Sequence, residues 1–202
     1  MKRIVYALIV AIFSICSSKA QYYIGFRDSK YAILGYTIDN KWQLQFDHSV
    51  FSEHFKYQYI RISGGYNYTK GQIGLSANVY GGITYCNSFY DMGAKIYGYY
   101  LPLKWFGINA VINPHYDEGY DYKTCYMIGT LFRVTNEFSV LAQFNTIPEY
   151  RQSEDRVKIG LSIKVKNLHV SPMISVPTNG NTKTVRVLFG FKYEIPYKKK
   201  NI

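Results

Sequence analysis

The sequence predicts an all-β chain: a single antiparallel up-and-down transmembrane β-barrel of about twelve strands. Three observations predict it. Over long stretches the side chains alternate between apolar and polar with a period of two, the mark of a strand whose two faces meet different surroundings. These stretches reach about 11 residues or more, whereas strands of soluble proteins usually have roughly five or six and a tilted membrane strand needs about 9 to 11. Aromatic residues make up 18% of the 202 residues, with 22 Tyr and 12 Phe, more than a soluble core requires. Tyrosine joins an apolar ring to a hydroxyl that wants water, which suits a bilayer boundary.

The chain opens with a leader. Lys2 and Arg3 precede an apolar run from Ile4 to Cys16, and the short polar stretch Ser17, Ser18, Lys19, Ala20 follows. This is the three-part pattern of a secretory signal peptide, with cleavage expected after Ala20. The apolar run is about 13 residues, too short for the roughly 20 of a spanning helix. Ile15 before Cys16 argues against lipoprotein processing, which wants a small residue there. The expected organisation is therefore a signal peptide at 1–20, a barrel at 21–195 and a basic tail at 196–202. No second apolar run could span a membrane as a helix, so an exported chain of this kind is either soluble or embedded through strands.

The strands are expected in order near 22–27, 30–38, 42–51, 56–68, 72–86, 89–103, 106–116, 121–135, 137–147, 155–166, 168–177 and 183–194. The alternation is clearest in three of them. Val157, Ile159, Leu161, Ile163 and Val165 share one face of their strand, opposite Arg156, Lys158, Gly160, Ser162, Lys164 and Lys166. Ile73, Leu75, Ala77, Val79 and Ile83 oppose Gln72, Ser76, Asn78 and Thr84. Val185, Val187, Phe189, Phe191 and Tyr193 oppose Arg186, Gly190, Lys192 and Glu194. Tight junctions are expected at 39–41, 69–71, 104–105, 136 and 167. Longer ones are expected at 52–55, 117–120, 148–154 and 178–182. An even strand count with both termini on one side places every tight turn together and the longer loops opposite, the arrangement of outer-membrane barrels. A ten-strand barrel, with the first residues lying elsewhere, is the alternative. Pro102, Pro114 and Pro177 fall near strand ends. Pro172 falls mid-strand, where its missing donor predicts a bulge or a split.

Closure follows from the solvent. In hydrocarbon each unpaired backbone N–H or C=O costs several kcal/mol, so the sheet must leave no edge. Apolar faces then point to lipid and polar faces to the lumen. The polar faces hold Gly, Ser, Thr, Asn and Gln beside charges, a mixture suited to a small wet lumen, and only 18% of the chain is charged.

The leader, the alternating segments and the aromatic final strand VRVLFGFKY at 185–193 resemble the broad outer-membrane β-barrel class of Gram-negative bacteria. The resemblance covers the whole chain after the leader and rests on pattern, without a diagnostic motif. It implies location in the bacterial outer membrane, contact with outer-membrane lipids and lipopolysaccharide, and a last strand read by the insertion machinery. Here the chain departs from the class by running on past Tyr193 to Ile202.

Charge and chemistry narrow the function. The net charge is +11, or +8 without Lys2, Arg3 and Lys19. Export argues against nucleic acid as the partner and favours anionic lipid headgroups or anionic solutes. Arg61, Arg133, Arg156, Lys158, Lys164, Lys166, Arg186 and Lys192 all alternate onto the expected lumen face, with Glu194 and Asp47 as its acidic residues. A ring of Arg and Lys favours anions in a pore. The competing reading is that these side chains, with Tyr, Asn and Gln, plug the lumen. The primary expectation is a structural or narrow-channel, porin-like barrel with a basic lumen that takes small anionic solutes. One alternative is an enzyme modifying lipid or lipopolysaccharide, and the other a soluble exported binding barrel. For the enzyme the only local candidates are His48 and Ser49, with Glu53 and His54 close by. Adjacent strand residues point to opposite faces, so that pair cannot act side by side, and no catalytic residue is assigned. No metal-ligand spacing or cofactor motif is present; Asp117, Glu118 and Asp121 lack the order of a calcium loop. Cys86 and Cys125 survive cleavage, and an oxidising compartment permits but does not require that they pair.

Overall fold

The computed structural model describes residues 20–28, 31–49, 58–85, 89–117, 122–149, 152–178 and 184–195. These form twelve strands: β1 Ala20–Arg27, β2 Tyr31–Ile38, β3 Trp42–Ser49, β4 Tyr59–Lys70, β5 Ile73–Thr84, β6 Phe89–Leu103, β7 Phe106–Asp117, β8 Lys123–Arg133, β9 Phe138–Glu149, β10 Gln152–Val165, β11 Leu168–Pro177 and β12 Arg186–Glu194. Each pairs antiparallel with its neighbours in sequence, and β1 pairs with β12 from Tyr23↔Glu194 to Phe26↔Phe191, closing the barrel. Twelve strands are present, not ten, because 20–27 pairs on both sides, from Ala20↔Ile38 to Arg27↔Tyr31 with β2. The expected leader lies outside the described residues except for Ala20, which is the first residue of β1.

One end of the barrel carries short turns, and Ala20 and Glu194 lie at that end. Ile38 and Trp42 are joined through Asp39 and Asn40 at φ 54° and 57°; Asp and Asn tolerate this left-handed region better than other residues with a Cβ. Lys70 and Ile73 flank Gly71 at φ 59°, and Val165 and Leu168 flank Lys166 at φ 53°. At the other end, most of the expected loop over 148–154 is strand instead. The ladder continues through Glu154↔Ile147 and Ser153↔Pro148 to Gln152↔Glu149, because backbone pairing overrides a proline that merely withholds one donor. Pro172 behaves the same way. Its pairing with Phe189 is uninterrupted, and β11 keeps one register with β10 at Gly160↔Met173 and Ile163↔Val170, so the strand is neither bulged nor split, although the β10 ladder lapses between those pairs, opposite the proline. Pro102 does mark an irregularity, since the β6–β7 register shifts between Tyr100 and Leu103.

The two faces of the wall are chemically opposite. Outward side chains include Ile62, Val79, Ile96, Ile112, Ile128, Ile159 and Ile174, all exposed. Bands of Trp42, Tyr68, Tyr100, Trp105, Phe132 and Tyr193 at the turn end, and Tyr85, Tyr116 and Tyr122 at the loop end, flank them. An apolar belt between aromatic girdles is the lipid-facing surface of a membrane barrel. No helix among the described residues is long and apolar enough to cross a membrane.

The buried residues are largely polar: Asp47, Ser49, Asp91, Asn145, Arg156 and Ser175, beside Ala20, Tyr23, Tyr59 and Val111. Three inward tyrosines lie over inward glycines of the neighbouring strand. They are Tyr23 over Gly35, Tyr80 over Gly93 and Tyr99 over Gly74, and in each a Cβ on the glycine would enter the ring. Aromatic rings thus line part of the inner wall.

Candidate functional site: the lumen

Contacts that skip a strand identify the inward face, since such side chains can meet only across the inside of the curve. On β1 and β3, Arg27 Nη2 pairs with Asp47 Oδ2 at 3.2 Å, Gln45 Nε2 donates to Asp47 Oδ1 at 2.7 Å, and Tyr23 Oη donates to Gln45 Oε1 at 2.9 Å. On β4 and β6, Arg61 Nε donates to Asp91 Oδ1 at 3.2 Å and Nη2 pairs with Oδ2. The Arg61 guanidinium also stands over the rings of Tyr59 and Tyr80, at 5.4 and 4.8 Å from their centroids. Asp91 is wholly buried and Asp47 nearly so. A carboxylate is buried at such cost only when paired and hydrogen-bonded, so each acid is held by its arginine. Both pairs belong to the β1–β6 half of the wall, toward the loop end.

Arg156 on β10 is held differently. Its Nε donates to Ser175 Oγ at 2.7 Å, and its Nη2 donates to the carbonyls of Ser175 and Thr184, each at 2.9 Å. It is 1% exposed, so it ties β10 to β11 and to the start of β12. At the turn end, Glu194 accepts from Lys192 Nζ at 2.9 Å and from Gln21 Nε2 at 3.1 Å, with His169 Nε2 4.0 Å away.

The register places Arg61, Arg133, Arg156, Lys158, Lys164, Arg186 and Lys192 on the inward side of their strands. Lys158 stands opposite Gln143 and Ser175, Lys164 opposite His169, Arg186 opposite Ser175, and Arg133 opposite Ser139 at the turn-end rim. Lys166 is not on a strand. It occupies the β10–β11 turn at positive φ and is exposed, because the strand ends one residue before it. His48 and Ser49 take opposite faces: His48 Nε2 meets Tyr85 Oη at 2.6 Å outside, while Ser49 Oγ accepts the Tyr59 N–H at 2.9 Å inside. Glu53, His54, Cys86, Glu118 and Asp121 lie outside the described residues. Among the described residues no cluster of three or more potential metal ligands occurs.

Sequence reasoning missed four inward residues that matter. Arg27 sits in a short stretch where period-two alternation is weak, whereas Asp91 and Lys95 carry a signal that could have placed them, since Met92, Ala94 and Ile96 alternate opposite Asp91, Gly93 and Lys95. His115, placed beside a loop, reaches inward, with Nδ1 2.7 Å from Tyr80 Oη, and that oxygen accepts from Asn113 Nδ2 at 2.7 Å. The inward surface is also not uniformly polar: Leu101, Val111, Met127, Leu131 and Leu141 line β6–β9 toward the turn end.

No protein-family model matches the sequence, and no curated protein does. Solved structures do match. The KdgM porin in complex with disordered oligogalacturonate superposes with a TM-score of 0.67 at 10% identity, over 88% of this chain and 99% of that one. The NanC porin superposes with a TM-score of 0.54 at 8% identity, over 89% of this chain and 99% of that one. Likeness at such identities shows the fold: the chain is a closed twelve-stranded β-barrel of outer-membrane porin architecture, a fold that resides in the bacterial outer membrane.

Proposed function

We propose that this barrel is a narrow outer-membrane channel whose basic interior favours small anionic solutes. The observation that carries the reading is the imbalance on the inward face: among the described residues, cations outnumber the carboxylates at inward register positions, which are Asp47, Asp91, Asp117, Glu149, Glu154 and Glu194. A cation facing an enclosed water column attracts anions and repels cations over a distance that salt shortens. The porin with the higher structural similarity binds an oligogalacturonate, a chain of acidic sugars, which supports anions of that kind as solutes here. The apolar belt and aromatic girdles support contact with outer-membrane lipids and lipopolysaccharide. The leader pattern at 1–20 supports delivery by export.

Reconstitution into planar bilayers tests the reading. Discrete conductance steps are expected, with a reversal potential in a potassium chloride gradient that reports preference for chloride. Silent bilayers, or steps preferring potassium, would refute it.

A further inference from the structure

Four of the inward cations are already engaged. Arg27 and Arg61 hold Asp47 and Asp91, Lys192 holds Glu194, and Arg156 is committed to Ser175 and the Thr184 carbonyl. A guanidinium or ammonium fixed to a carboxylate presents little net charge to a passing solute. Counting basic residues on the inward face therefore overstates the field.

Lys95 is different. It lies near the middle of β6, opposite Asn78 on β5, and between the inward pairs Gly82↔Asp91 and Ser76↔Tyr97. Its neighbours are turned elsewhere. Asn78 donates to Ser76 Oγ at 2.8 Å and covers Gly65, and Asn113 on β7 donates to Tyr80 Oη at 2.7 Å. The carboxylates within electrostatic reach are Asp28 and Asp47, both paired with Arg27, at 3.8 and 3.2 Å, while Arg61, also within reach, holds Asp91. Among the described residues Lys95 has no hydrogen-bond or ion-pair partner. Although it points into the barrel, it is exposed, so its ammonium stands in the enclosed space rather than against the wall. Lys158 also lacks such a partner but is half-buried. Lys164 and Arg133 are exposed only toward the turn end.

We propose that Lys95 is the residue through which the lumen selects: a permeating small anion pairs with its ammonium at mid-strand. This rests on the channel reading above and assigns that reading to one side chain. The paired arginines beside it shape the wall, and Lys158 adds a weaker contribution.

The test compares reversal potentials of the wild type, K95Q, K95E and K158Q in bilayers under a potassium chloride gradient, with heat-modifiable gel migration as the folding control. The wild type should prefer chloride, K95Q should lose most of that preference, K95E should prefer potassium, and K158Q should shift less than K95Q. A folded K95E channel that keeps the wild-type reversal potential overturns the assignment and leaves the channel intact. A wild type without conductance steps overturns the channel reading, and this inference with it.

Discussion

Asp91 is the residue on which the loop-end half of the lumen depends. It is wholly buried, and among the described residues it is compensated by the Arg61 guanidinium, which meets both carboxylate oxygens. Removing one partner of a buried pair leaves the other charge stranded, at a cost of roughly 3 to 5 kcal/mol. D91A should therefore lower the temperature at which the folded band is lost on a denaturing gel. The double variant R61M/D91A should recover part of that loss, because no charge is then left unpaired. Neither Asp91 nor its partner was assigned from sequence as a pair. Alternation gave Arg61 a face, but which acid it meets depends on two strands that are not adjacent.

At the scale of the element, the inward tyrosines and glycines behave as paired parts. Tyr99 on β6 lies across Gly74 on β5, at register partners, and there is no room for a methyl group under the ring. G74A forces the ring off the wall and into the lumen. Overpacking of this kind costs about 1 to 3 kcal/mol, and the displaced ring would narrow the opening as well. The expected outcome is a less heat-resistant barrel on a denaturing gel and smaller conductance steps in planar bilayers. Y99A removes the conflict, so G74A/Y99A should restore the step size. The sequence shows Tyr and Gly enrichment plainly, but it does not pair a particular Tyr with a particular Gly; the register does.

For the whole molecule, the inverted arrangement of polarity makes a directional prediction. Ile159 is 58% exposed on the outward face of β10, between Ala142 and Ile174 and in the apolar belt. An arginine on the lipid face near the bilayer midplane costs about 2 to 4 kcal/mol, so I159R should lower folding stability in lipid vesicles by that order, measured in urea titrations. The adjacent inward change K158Q should alter stability by only about 0.5 kcal/mol. A soluble barrel would reverse the order of these two effects.

By itself the sequence determined the strand class, their number, and the face of each long strand. Period-two alternation is a local property, and a run such as Val157 to Val165 can satisfy it in only one way. It also determined the tight turns, because Asp39-Asn40 and Gly71 announce left-handed backbone. Only the tertiary structure decided which charges remain available. Asp47 and Asp91 reach Arg27 and Arg61 across an intervening strand, a proximity created by closure and invisible along the chain. The basic face read from alternation is the sum of its residues, whereas the field felt by a solute is what remains after those pairs form. That remainder centres on Lys95, which alternation places on the inward face without singling it out from the other cations.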